Sequence, residues 1–493
     1  MHIEIQRNSG ISLTKQIYHS ILDHIRSNLL EEDLQLPSVR ELSKQLGVSL
    51  VTVVKAYQKL EQDGFITSVQ GKGTFIRKTK MEGKEKKEGT SSSFDWQLSV
   101  QDYLPRSQFA RFHQVPEKIH LSSNMIDPGL LPNRYLEQEI NRMLSVNPKV
   151  LSQYGEIQGD KVLRQAMVEY LQRMELSTSP DNILVTSGSQ QGIDLIARTF
   201  VGPGDVVVME APTYPGAIDV FRGRGAIILT VPVDSDGMRV DLLQNLCDKY
   251  NPKIIYTIPT FHNPTGAVMT TKRRRQILEI AKSTQCIVIE DDPCSEIYFE
   301  RKPPASIKSL DKDGHVIYLK GLSKILAPGC RIAILAASGS IFKRLLAAKA
   351  NTDLGSPLLT QKAIVPFITS KRMMDHLKKL RTALKIRRDH VLEILSQHSP
   401  DEVSWFIPKG GLNVWLTLPS WINTDHILIE AKKEQITFLP GSACYPTEQE
   451  NHHLRLSFSY MNEQQLTEGV KNICNILQST IELKIKQDSS PHF

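Results

Sequence analysis

No apolar stretch of this chain approaches the roughly 18 residues that a membrane span requires, so an integral membrane protein is not expected. The opening residues Met1-His2-Ile3-Glu4-Ile5 carry neither a basic segment nor an apolar one. No secretory leader is expected, and the protein is expected in the cytoplasm. Cysteine is scarce and scattered: Cys247, Cys286, Cys294, Cys330, Cys444 and Cys474 include no C-x-x-C pair. That pattern argues against a disulfide framework and against a zinc site, so reduced, mostly buried thiols and no metal are expected. Neither sign of charge dominates. A net charge of +7 over 493 residues permits a polyanionic partner without requiring one. No internal repeat is visible. What remains is an ordinary globular composition, 40% hydrophobic, with a length suited to about three domains.

The N-terminal region has the signals of a small DNA-reading unit. Leu13, Ile17, Ile21, Leu22 and Ile25 recur at helical spacing over 12–28, with Ser12 as a cap. A second helix follows Pro37: Ser38 and Glu41 form a capping box, and Gly47 ends it. After the short turn Gly47-Val48-Ser49, a third helix runs through Val51–Leu60 and closes at Asp63-Gly64. Two short helices around a tight glycine turn predict a helix-turn-helix. Phe65-Ile66-Thr67 and Thr74-Phe75-Ile76 flank Gln70-Gly71-Lys72-Gly73 as a hairpin wing with a basic tip. This winged helix-turn-helix is assigned residues 1–78. A linker and docking segment follows at 79–119, Lys-, Glu-, Gly- and Ser-rich to about Ser93 and then richer in aromatics.

Residues 120–485 form the third unit. From about 155, short β-branched runs alternate with helical stretches, which predicts an α/β domain with a mostly parallel sheet and a ligand site at the carboxyl ends of its strands. The large α/β part is assigned to about 150–384 and a smaller α+β lobe to about 385–482. Just past the predicted strands stand Asn263-Pro264-Thr265-Gly266, Glu290-Asp291-Asp292-Pro293 and Ser323-Lys324-Ile325-Leu326-Ala327-Pro328-Gly329-Cys330-Arg331. Pyridoxal 5'-phosphate needs a lysine for its aldehyde, a carboxylate for its ring nitrogen, and an arginine with free backbone N–H groups for its phosphate. Lys324, Asp291 and Arg331 meet those needs in type. Gly188-Ser189-Gln190, after the strand at Val185 and opening a helix, is the expected phosphate cradle.

On these motifs, residues from about 120 to 482 resemble a fold-type I, class I/II aminotransferase, and residues 12–77 resemble a GntR-type winged helix. The fusion resembles the MocR/GabR-type regulators of the GntR family. The resemblance implies that Lys324 carries the internal aldimine, that Asp291 holds the pyridine N–H, and that Asn263 bonds the ring hydroxyl. It implies that Tyr214 stacks on the ring and that Ser323 and Arg331 complete the phosphate site. It further implies that Tyr154 reaches the phosphate of a neighbouring subunit in a homodimer, head-to-tail as in related regulators, and that Arg455 takes an amino acid's α-carboxylate. In the DNA unit, Arg40, Ser49, Thr52, Lys55, Lys72 and Thr74 are placed to meet phosphates or base edges of double-stranded DNA.

The chain also departs from the pattern. Cys294 stands where a tyrosine usually donates to the ring hydroxyl, Gly321 where a phosphate-binding serine is common, Asn124 where a glycine often lines the pocket, and Ala333 where a glycine follows the arginine. Leu50 replaces the usual arginine after the turn's serine. Holding the cofactor tolerates such changes better than efficient turnover does. The expectation is a pyridoxal phosphate-dependent transcription regulator that senses an amine or amino acid through an external aldimine, or senses the cofactor itself. The alternative is a working aminotransferase with an appended DNA-binding domain.

Overall fold

The computed structural model describes residues 13–26, 35–62, 65–69, 73–76, 117–447 and 450–488. The chain divides into two compact units, 1–101 and 102–493. The linker and docking segment expected at 79–119 lies outside the described residues except for 117–119. Among the described residues no helix is long and apolar enough to cross a membrane.

The first unit is built from α1 (Leu13–Arg26), α2 (Val39–Leu46), α3 (Leu50–Gln62) and an antiparallel hairpin of β1 (Ile66–Val69) with β2 (Gly73–Ile76). Ile17, Ile21, Leu42, Val53, Leu60, Ile66 and Ile76 bury their side chains in one small core. Ser38 closes the expected capping box with Glu41, and Gly47 ends α2 in the left-handed conformation at φ 62°. The turn is fastened by Ser43 Oγ donating to the carbonyl of Val48 at 2.7 Å, and Tyr57 on α3 donates its hydroxyl to the carbonyl of Pro37 at 2.8 Å. These bonds fix the angle between α2 and α3, as a helix-turn-helix requires.

The second unit opens with β3 (Ile119–His120), then α4 (Asn133–Val146) and α5 (Lys161–Gln172). Alternation follows: β4 (Ile183–Thr186), α6 (Ser189–Phe200), β5 (Val206–Ala211), α7 (Pro215–Gly223), β6 (Ile227–Asp234), β7 (Gly237–Met238), α8 (Val240–Tyr250), β8 (Ile254–Thr257), α9 (Thr271–Thr284) and β9 (Ile287–Asp292). After the short α10 (Ile307–Leu310) come β10 (Val316–Gly321), β11 (Ala333–Ala336), α11 (Gly339–Ala350) and α12 (Leu358–Ile368). The large sheet has the order β4-β11-β10-β9-β8-β5-β6-β7. Only β11 and the edge strand β7 run against the rest. The strands read as continuous β-branched runs because helices cover both faces, and every residue of β4, β8, β10 and β11 is buried.

The 28-residue α13 (Lys371–His398) runs unbroken through the boundary expected near 384 between the large part and the small lobe. Beyond it, β12 (Ser404–Trp405), β13 (Asn413–Thr417), α14 (Thr424–Lys433), β14 (Ile436–Thr437), β15 (Leu439–Pro440), β16 (His453–Ser457) and α15 (Glu463–Asp488) build the small lobe. Its sheet has the order β12-β13-β16-β15. β3 pairs in parallel with β14, so residues 119–120 join this lobe although they are about 300 positions earlier in the chain.

Candidate functional site

The carboxyl ends of β9 and β10 deliver the central groups. Asp291 is buried, and its Oδ2 accepts the Tyr256 hydroxyl at 2.6 Å, while Oδ1 has no hydrogen-bond partner among the described residues. Burial pushes its carboxyl up to about 7. Lys324 lies in the turn after β10 and donates Nζ to the carbonyl of Asn124. Burial, aided by the Arg455 and Arg331 guanidinium groups, lowers its ammonium to about 8, against the opposing pull of Cys294.

A second lysine, Lys320 at the end of β10, is fully buried and differs in kind. Its Nζ meets Glu296 Oε2 at 2.6 Å, Ser295 Oγ at 3.2 Å and Asp292 Oδ1 at 3.3 Å. Burial lowers its proton affinity, but Asp292 and Glu296 outweigh that and raise it. Lys320 is therefore a fully paired structural cation that anchors the strand end behind Asp291, and Lys324 is the lysine whose free base is accessible near neutral pH. Residue type alone does not separate the two.

Asn263 lies beyond the end of β8 and precedes a cis bond to Pro264, and its Oδ1 accepts Arg455 Nη1 at 2.7 Å. Arg455 Nη2 donates to the Ser122 carbonyl at 2.6 Å, while its Nε is buried without a partner among the described residues. Burial lowers this guanidinium to about 10. The fork expected to take a carboxylate is thus turned onto Asn263 and the Ser122 carbonyl. Asn124 adds a third unpaired buried atom, its side-chain Oδ1. Cys294 is buried beside Lys324, and burial raises its thiol to about 12, so it stands in the site as a neutral, weak donor.

Gly188 caps α6 at φ 93°, and a Cβ there would stand 2.5 Å from the Arg331 guanidinium. Arg331, itself left-handed at φ 50°, donates Nη2 to the Ser187 carbonyl at 3.2 Å. Ser189 opens α6, where unsatisfied amides and the helix dipole favour an anion. A Cβ on Gly321 would lie 2.6 Å from Ser189 Oγ. The glycine that departs from the expected pattern leaves the space this hydroxyl fills. Tyr214 precedes α7 and donates its hydroxyl to Gln190 Oε1 at 3.1 Å, and Gln190 Nε2 donates to the Gly216 carbonyl at 3.0 Å. Ser323 is half-buried directly before Lys324. Tyr154 is not packed into this cluster: it is 84% exposed in the single chain.

Sequence reasoning missed the brace behind the cradle. Gln191 Oε1 accepts the Ser187 N–H at 2.6 Å, and its Nε2 donates to Asp353 Oδ2 at 2.7 Å. Asp353 is clamped by the buried Lys349, at 2.7 and 2.9 Å. The i, i+4 spacing of Lys349 and Asp353 was readable, but nothing in it pointed to a loop some 160 residues away.

In the first unit, Ser49 Oγ accepts the Thr52 N–H at 3.2 Å and lies 2.7 Å from Thr52 Oγ1, so these two residues cap α3. Arg40 and Lys55 are exposed. Thr74 lies on β2 and gives its carbonyl to the Leu36 N–H at 2.8 Å, and Lys72 is outside the described residues. The start of α3 also exposes Leu50, Val51 and Val54, an apolar face that no basic-residue search would find.

Asp291 Oδ1 fits a pyridine N–H, and the Gly188–Ser189 turn with Arg331 fits a phosphate. Comparison with known proteins identifies the family. The family described as aminotransferase class I and II matches residues 116–473. The aromatic-amino-acid aminotransferase 1 of Thermococcus litoralis is 35% identical over 375 residues, covering 75% of this chain and 90% of that protein. LysN, the α-aminoadipate aminotransferase of Thermus thermophilus, solved with N-(5'-phosphopyridoxyl)-L-leucine, superposes with a TM-score of 0.70 at 30% identity, covering 74% of this chain and 92% of its own. The chain belongs to the class I and II aminotransferase family, and its cofactor is pyridoxal phosphate.

The family of bacterial regulatory proteins named gntR matches residues 13–76. The uncharacterised HTH-type transcriptional regulator YisV of Bacillus subtilis is 31% identical over 473 residues, 94% of this chain and 96% of that protein. A GntR-type winged helix joined to an aminotransferase domain is the MocR-type arrangement.

Proposed function

We propose that the chain is a DNA-binding transcription regulator whose aminotransferase-type domain senses an amino acid or another amine. One observation carries the sensing half. Around Lys324, whose ammonium is lowered to about 8, three buried polar atoms stand unpaired among the described residues: Asp291 Oδ1, Asn124 Oδ1 and Arg455 Nε. Unpaired buried polar atoms cost about 1–3 kcal/mol each, so such a site is built for something that bonds to them.

Bound here, pyridoxal phosphate supplies an electrophilic carbon that takes up amines. Lys324 would hold that carbon, Asp291 the ring nitrogen, Asn263 the ring hydroxyl and Tyr214 the ring face. Gly188, Ser189, Gln190, Ser323 and Arg331 would hold the phosphate. Tyr154 would complete the phosphate site of the neighbouring subunit in a head-to-tail homodimer, a role suited to its exposure and to the exposed Val146, Leu151 and Leu354. Arg455 would meet an effector carboxylate by exchanging its contact with the Ser122 carbonyl. In the DNA unit, Arg40, Lys55 and Lys72 would meet phosphates, with Ser49, Thr52 and Thr74 at the helix and wing. The exposed Leu50 and Val51 suit thymine methyl groups in a major groove.

A second reading, a working aminotransferase, is favoured by the accessible free base of Lys324, which can carry a proton once the amine has displaced it. Ultraviolet-visible titration with an amine panel separates the two readings. A spectral shift that changes promoter affinity without product supports the sensor, and steady keto-acid formation supports the enzyme. A response to the cofactor alone supports a regulator that senses pyridoxal phosphate itself.

A further inference from the structure

The cysteine pattern that argued against a metal speaks only to thiolate sites. At the start of β16, outside the cofactor cluster, Glu450, His452 and His453 each bring one ligand atom to within 4.8 Å of the others. We propose that these three side chains bind a divalent transition-metal ion of the zinc type. Two imidazoles and a carboxylate are the mixed borderline donors that zinc takes. Magnesium and calcium prefer oxygen alone.

Part of the geometry is already set. His452 Nδ1 lies 3.1 Å from Glu450 Oε2, close to the separation of two ligands on one ion, and the two histidine rings are 4.1 Å apart. Zinc bonds of about 2.0–2.2 Å place neighbouring ligand atoms roughly 3.3–3.5 Å apart, so a pair at the 4.8 Å limit would have to close by about 1.4 Å. The His453 ring is held in place by its neighbours. It stacks on Trp415 at 5.4 Å and 10°, and Tyr445 Oη lies 3.3 Å from its Nδ1. Such an outer partner fixes the orientation and tautomer of a ligating histidine. All three residues are half-buried and line a cavity of about 480 Å³ shared with Asp234, Ser235 and Thr265, which leaves room for water in the open coordination position.

The placement gives the ion a consequence. His453 and Arg455 are two residues apart on β16 and so share a face of the strand. A metal at the strand's start would tie the preceding loop to the strand that carries Arg455.

The test uses full-length, cofactor-loaded protein stripped with a chelator and titrated with zinc against a chromophoric competitor. The expected result is one zinc per chain, with affinity reduced about tenfold or more in Glu450→Gln and in His452→Gln. His398→Gln, an exposed histidine at the end of α13, should leave it unchanged. Glu450→Gln guards against misfolding, because its side chain is not in a core. Absence of a stoichiometric ion would mean that Glu450 and His452 are only an ion pair. Zinc that persists unchanged in both variants would place the metal elsewhere, and either result overturns the proposal.

Discussion

At the scale of single residues, the decisive contrast is between the fully buried Lys320 and the half-buried Lys324, four positions apart. Two carboxylates hold the proton on Lys320, whereas Lys324 has cationic neighbours and a backbone carbonyl. An ammonium lowered from 10.5 to about 8 is roughly one-tenth free base at pH 7, about 300-fold more than an ordinary lysine. The rate at which cofactor-free protein captures pyridoxal phosphate should therefore rise about tenfold per pH unit below 8 and level off above it. Stopped-flow absorbance measures this, and Lys324→Ala should abolish the borohydride-trappable visible band. A flat profile from pH 6 to 9 would place the reactive amine elsewhere.

Gly321 yields a second residue-scale prediction. A serine there would put its Cβ 2.6 Å from Ser189 Oγ. Gly321→Ser should lower stability by about 1–3 kcal/mol through overpacking and weaken cofactor binding. The double variant Gly321→Ser, Ser189→Gly should recover both, because the hydroxyl is then supplied from the other side. Thermal unfolding and cofactor fluorescence check it, and no recovery would mean that the two positions do not share one space.

At the scale of elements, α2 and α3 form a braced pair. The capping box at Ser38, the left-handed Gly47 and the Tyr57 bond to Pro37 each remove an unsatisfied backbone group. Ser38→Ala should cost about 1 kcal/mol of the unit's stability, measured by denaturant unfolding of the full chain. Arg40 and Lys55 are exposed on this pair. If each meets one phosphate, neutralising it should lower the salt slope of operator binding by about 0.9. An affinity indifferent to both substitutions would count against this docking face. The exposed Leu50 and Val51 should act differently, changing sequence preference more than salt dependence.

At the scale of the molecule, the effector must bind one conformation better than another, since a ligand with equal affinity for both shifts nothing. The small lobe carries Arg455, and the β3 pairing with β14 links it to the Ser122–Asn124 segment that meets both Arg455 and Lys324. Contacts of a bound amine with this segment are therefore contacts with the lobe. An amine should change promoter affinity in gel-shift or anisotropy titrations while keto-acid product forms slowly. Cys294, its thiol kept neutral by burial, is a weaker donor than a tyrosine hydroxyl. Turnover near one per second or faster, within the ordinary enzyme range, would favour the enzyme reading.

What the sequence by itself determined were the features written locally. The capping box, the glycine turn, the β-branched runs between helices and the ordered Asn263, Asp291, Lys324 and Arg331 motifs each depend on residues a few positions apart. Their strand-end placement follows from the α/β alternation. Tertiary structure alone decided which buried polar atoms are paired. The partners are between 162 and 333 residues apart: Arg455 with Ser122, Lys324 with Asn124, Asp353 with Gln191. Burial, and with it the proton affinities of Asp291 and Lys324, depends on what packs around a group, and chain spacing does not encode that. For the same reason Gly321 reads as a loss in the sequence and as the room for Ser189 in the fold.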